Sequence, residues 1–97
     1  MIRAIASGVV LLAAATVSAS ELPHFNIEAT CRAAPSMQGG IQNPYPGCMK
    51  DEEAALTELK RTWATYNTGS QSECVSFGKM GTAPSYVEVL TCLQMAR

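Results

Sequence analysis

The sequence predicts an all-α fold: a small disulfide-braced helical hairpin of two to three helices, with an irregular N-terminal arm, following a cleaved signal peptide. Three observations predict it. A chain of 97 residues carries four cysteines, Cys31, Cys48, Cys74 and Cys92. Apolar residues recur at helical spacing in two later segments. The first twenty residues have the layout of an export signal. The expected organisation is signal peptide 1–19, irregular arm 20–47 and helical domain 48–97.

MIRAIASGVVLLAAATVSAS opens with one cation, Arg3, and runs uncharged and mostly apolar from Ala4 to Val17. It closes on Val17-Ser18-Ala19, small residues of the kind a signal peptidase requires, which places cleavage after Ala19. The uncharged core is 14 residues, whereas a membrane span needs about 20. No stable membrane anchor is therefore expected after cleavage. The location implied is the periplasm or the exterior.

In the arm, Pro35, Gly39-Gly40, Asn43-Pro44 and Tyr45-Pro46-Gly47 are turn signals with no sustained period between them. Cys31 pins this arm, and Phe25, Ile27 and Ile41 are its candidates for docking on the helices. From Cys48 to Tyr66 the pattern turns helical: Leu56, Leu59, Trp63 and Tyr66 form one stripe with Ala55 beside it. Asp51, Glu52 and Glu53 precede Lys60 and Arg61, the charge order that suits a helix dipole. Asn67-Thr68-Gly69 stops that helix.

Ser70 and Glu73 have capping-box spacing, so a turn or two of helix is expected over 71–77, ended by Gly78. After a short connector, Ser85 and Glu88 repeat the spacing behind Pro84. Tyr86, Val89, Leu90, Leu93 and Ala96 then line one face of a last helix, with Cys92 on its shoulder. The two longer helices would bury Leu59 and Trp63 against Leu90 and Leu93.

An even cysteine count in a short exported chain reads as a disulfide framework. A core this small supplies only about 3–5 kcal/mol, and each bridge adds roughly 3 kcal/mol. The helix between Cys48 and Cys74 is about 25 Å long, so those two cysteines are held apart unless the chain doubles back. Cys31 with Cys48 and Cys74 with Cys92 is then the preferred pairing. Cys31 with Cys74 and Cys48 with Cys92 remains the alternative, because an antiparallel hairpin brings the last helix toward Cys48.

CMKDEEAALTELKRTWATY, then Cys74, then APSYVEVLTCLQMA resembles a family of small uncharacterised exported four-cysteine proteins of proteobacteria, whose terminal segment reads P-S-Y-V-E-x-L-T-C-L. The resemblance covers residues 48–96, and the arm departs from it. It implies a periplasmic or secreted location and a shared cysteine frame, and transfers no functional residue.

Composition and motifs exclude several functions. Seven Lys and Arg face eight Asp and Glu, and losing Arg3 with the signal peptide leaves a net charge of −2. Nucleic acid and anionic membrane both need clustered cations, so neither is an expected partner. The cysteine intervals are 16, 25 and 17 residues, with no C-x-x-C for thiol redox chemistry and no close ligand pairs for zinc. Met37, Met49, Met80 and Met95 add soft sulfur, so copper binding or thiol redox is the alternative function, although scattered methionines suit gap-filling. His24 is the single histidine and lies in the arm, without a nucleophile at hand. The acidic residues read as helix charge and capping rather than as a glycosidase pair. No cofactor, metal or catalytic residue is expected. The leading expectation is a non-enzymatic binding or structural module whose partner the sequence does not identify, a protein being the candidate. Tyr45, set between two prolines, is the partner-contact candidate, on a surface formed by the 35–47 loop or the acidic start of the first long helix.

Overall fold

A computed structural model describes residues 21–34, 43–81 and 83–96, together with Gly8. The expected signal peptide with its cleavage point, and residues 35–42 of the arm, lie outside the described residues, Gly8 apart. Among the described residues the fold is all-α and disulfide-braced. It comprises α1 (Ile27–Arg32), α2 (Tyr45–Thr62), a 3-10 turn at Trp63–Thr65, α3 (Thr68–Gly78) and α4 (Tyr86–Met95).

The arm is not wholly irregular. Asn26 starts α1 by accepting from the Ala29 N–H at 3.1 Å, and Glu28 pairs with Arg32 one turn on. A helix of six residues is too short to show a period, and alone it would not form in water. It is held here because Cys31 is buried and bonded to α2.

Helix α2 begins at Tyr45, three residues before the expected boundary at Cys48. Pro44 precedes it and Pro46 sits in its first turn, where a missing N–H breaks no helical bond. Pro44-Tyr45-Pro46-Gly47 is thus the start of a helix rather than a loop. The buried face runs Glu52, Ala55, Leu59 and Thr62, while Leu56 and Tyr66 are only half-buried. Leu59 and Trp63 of the expected stripe are buried and Leu56 flanks them, while the helix tightens to 3-10 at Trp63, which breaks the 3.6-residue phase before Tyr66.

Helix α3 is capped by Asn67, whose Oδ1 accepts from the Ser70 N–H at 2.7 Å. The expected Ser70–Glu73 box is therefore displaced by a cap three residues earlier, and Ser70 lies inside the helix. Gln71, Cys74 and Gly78 form the buried face. Helix α4 starts at Ser85, whose Oγ accepts from the Glu88 N–H at 3.3 Å, and buries Tyr86, Val89 and Leu93. Each aliphatic side chain so buried, Leu59, Val89 and Leu93 among them, stabilises the fold by about 1.5–3 kcal/mol.

One core joins these faces: Phe25, Ala55, Leu59, Trp63, Cys74, Tyr86, Val89 and Leu93. Helix α4 packs on both α3 and α2, and α1 packs on α2. Gly78 permits the closest approach, since a Cβ there would stand 2.4 Å from Val89 Cγ2 and 3.1 Å from the Ser85 carbonyl oxygen. The Phe25 and Tyr86 rings meet with centroids 4.6 Å apart. The Tyr86 hydroxyl donates to the Pro23 carbonyl at 2.8 Å and accepts from the Phe25 N–H at 2.7 Å, which fastens the arm to α4.

Candidate functional site

Cys31 is bonded to Cys48 and Cys74 to Cys92, with Cα separations of 5.5 and 5.4 Å, and no cysteine is free. The first bridge ties α1 to α2 and the second ties α3 to α4. With all four sulfurs bonded, thiolate attack or thiolate ligation would have to begin with reduction. His24 is exposed on the arm. Met49 is half-buried on α2, Met80 follows α3, and Met95 is on α4, while Met37 lies outside the described residues. Among the described residues no three or more of His, Cys, Asp and Glu gather at one point.

Glu52 is the polar residue that sequence reasoning misplaced. The sequence groups it with Asp51 and Glu53 as helix-start charge, yet α2 begins two turns earlier and Glu52 is 3% exposed. Its carboxylate accepts from the Ser85 hydroxyl, from the Tyr86 N–H at 2.7 Å and from the Val87 N–H at 3.3 Å. These N–H groups open α4 and have no partner within that helix. The negative charge also faces the positive end of the α4 dipole. Glu52 is therefore a cap supplied across the fold, with both oxygens committed, and it holds structure rather than moving a proton. A signal existed: Glu52 stands three residues before Ala55 and seven before Leu59, on the buried stripe.

Other polar groups also tie segments together, although buried Gln71 Oε1 has no hydrogen-bond partner among the described residues. Thr30 Oγ1 donates to the Pro84 carbonyl at 2.6 Å, tying α1 to the connector before α4. Buried Gln71 donates from Nε2 to the Trp63 carbonyl at 2.8 Å. On the surface, hydrogen bonding to Glu58 raises the Arg61 pKa further above its ordinary value.

Two of the hollows that the fold leaves open are mainly apolar. A groove of about 310 Å³ runs between α3 and α4, with the Cys74–Cys92 bridge, Phe77 and Met95 along it and Glu73 as its charged member. Phe77 is 48% exposed and Met95 80%. A second hollow of about 310 Å³ lies between α2 and α4 at Ala54, Ala55, Val87 and Leu90. A volume of about 480 Å³ beside residues 24–28 is lined by five consecutive residues, so it is one stretch of surface rather than a cleft between elements. Tyr45 is half-buried in the first turn of α2, with its N–H donating to Asn43 Oδ1 at 3.2 Å. The 35–42 part of the expected contact loop lies outside the described residues. The acidic start of the long helix is divided, Asp51 and Glu53 being exposed and Glu52 turned into the fold.

Two disulfides fit an oxidising, non-cytoplasmic compartment. Among the described residues no helix is long and apolar enough to cross a membrane. No family model, curated protein or solved structure matches this chain.

Proposed function

We propose that the protein is exported to the periplasm or beyond and works as a non-enzymatic binding module, a rigid helical scaffold that presents an apolar groove to a partner protein. One observation carries the reading. The four cysteines, in two bridges, and Glu52, in a cap, are engaged in holding the fold, whereas Phe77 and Met95 stand exposed beside a groove. The export signature of residues 1–19 supports the compartment, as does the resemblance of residues 48–96 to small exported four-cysteine proteins.

The test is intact mass of protein recovered from its native compartment, before and after reduction. A chain beginning at Ser20 and lighter than its reduced form by the four hydrogens of two disulfides is expected. Four free thiols, or retention of residues 1–19, would overturn the reading. Crosslinking in that compartment should yield a saturable adduct with one protein species, and its absence would remove the binding role.

A further inference from the structure

The structure carries an inference about the partner, resting on the binding reading above. The α3–α4 groove is small: about 310 Å³ is at the lower edge of ligand sites, roughly 300–1,000 Å³. It has room for one or two side chains, not for a helix laid in full. Its floor is fixed by the Cys74–Cys92 bridge, so little ordering is required when it is filled. Phe77 offers a ring face and Met95 an adaptable thioether.

Among the described residues Glu73 is the charged side chain that lines the groove, and no Lys or Arg does. Glu88 stands one helical turn before Cys92 on α4 and is exposed. Among the described residues the ion pairs are Arg32 with Glu28 and Arg61 with Glu58, and neither the Glu73 nor the Glu88 carboxylate belongs to one. A cation beside a bound apolar side chain gains attraction from both acids and can lie over the Phe77 ring. An acidic segment, or an anionic lipid surface, would be repelled by the same two groups.

We propose that the groove between α3 and α4 binds a partner-protein segment in which an apolar side chain is flanked by Lys or Arg. The probe is a short synthetic peptide with leucine flanked by lysines, titrated into the isotope-labelled, oxidised full protein and followed by NMR. Saturable shifts centred on Phe77, Thr91 and Met95 are expected. The same peptide with glutamate for lysine should bind at least about tenfold more weakly. Glu73→Lys should weaken the lysine peptide about fivefold, and Met95→Ser, which removes an exposed wall, about fivefold as well. Unchanged thermal unfolding of both variants shows that the fold is not the cause.

No saturable shift at these residues overturns the inference, as do equal binding of the two peptides or indifference to both substitutions. Shifts of Phe77 and Met95 on zwitterionic vesicles but not with peptide would reassign the face to lipid. If the crosslinked adduct persists in the Glu73→Lys and Met95→Ser variants while the peptide fails, the groove is wrong and the binding reading stands. Loss of the adduct from the unmodified protein removes both.

Discussion

Replacing Glu52 tests the cap that joins α2 to α4. Glu52→Ala removes the acceptor of three donors at once. The Tyr86 N–H is buried and would lose its partner, at about 1–3 kcal/mol. Val87 is exposed, so its N–H can turn to water, and the Ser85 hydroxyl can reorient; these lose less. The missing charge at the α4 N-terminus adds roughly 0.3–1 kcal/mol. The sum is about 3 kcal/mol, a large part of the roughly 5–10 kcal/mol a domain of this size holds. Glu52→Gln keeps one carbonyl for the backbone donors but cannot accept from Ser85 through its NH2, so it should cost only about 1–1.5 kcal/mol. Urea unfolding of the oxidised protein followed by helical circular dichroism gives both values, and Ser85→Ala in each background closes a double-mutant cycle. A Glu52–Ser85 coupling of about 1 kcal/mol or more is expected. Glu52→Ala costing under 1 kcal/mol, or strict additivity with Ser85→Ala, would refute the cross-fold cap.

Three further outcomes follow from the packing. Gly78→Ala places a Cβ against Val89 and the Ser85 carbonyl and should cost about 1–3 kcal/mol, while Gly47→Ala, which meets nothing within 4 Å, should stabilise α2 by up to about 1 kcal/mol in the same melts. Removing either bridge as a Cys→Ser pair should cost about 3 kcal/mol, the two closing nearly equal spans of 17 and 18 residues; a loss under 1 kcal/mol for both would show that neither braces the fold. Tyr86→Phe keeps the ring but removes both arm bonds and should cost about 2 kcal/mol, with hydrogen exchange at Phe25 accelerating before that of α3.

The elements legible in the sequence are those whose determinants are local. Helix α4 carries its Ser85 cap, its apolar face and its preceding proline within a dozen residues, so its bounds could be read directly. The middle of α2 was legible for the same reason. Its ends were not, because Pro44 and Pro46 read equally as a turn or as a helix start, and a 3-10 turn shifts the phase at Trp63. Asn67 was read as the stop of one helix and is also the start of the next. The role of Glu52 and the approach at Gly78 are set by tertiary neighbours more than 30 and 10 residues away, which no local pattern encodes. The length of α2 separates Cys48 from Cys74, and that much follows from counting residues. What brings Cys74 to Cys92 is the antiparallel packing of α3 on α4, with Gly78 against Val89 and Cys74 one turn back against Cys92. The groove is the hardest feature to read in advance, since Phe77 and Met95 are exposed because, among the described residues, no further element covers them.

Helix α4 also explains why the exposed face lies where it does. Glu52 of α2 caps its first turn, and Tyr86 in that turn holds the arm. Val89 meets Gly78 of α3 in the next turn, and Cys92 is bonded to Cys74 after that. Among the described residues, each of the other three α-helices is thus fastened to one short helix, directly or, for α1, through Thr30 and the arm. Such a hub should make unfolding cooperative: far-UV dichroism, Trp63 fluorescence and exchange at α1 amides should report one midpoint in urea. Separate midpoints for α1 and α3 would mean that the ties act independently. Among the described residues, Thr91 and Met95 of α4 lie beside these contacts and form one wall of the groove. The exposed apolar surface therefore sits on the most firmly held helix of the fold, where loosening it to bind would be least needed.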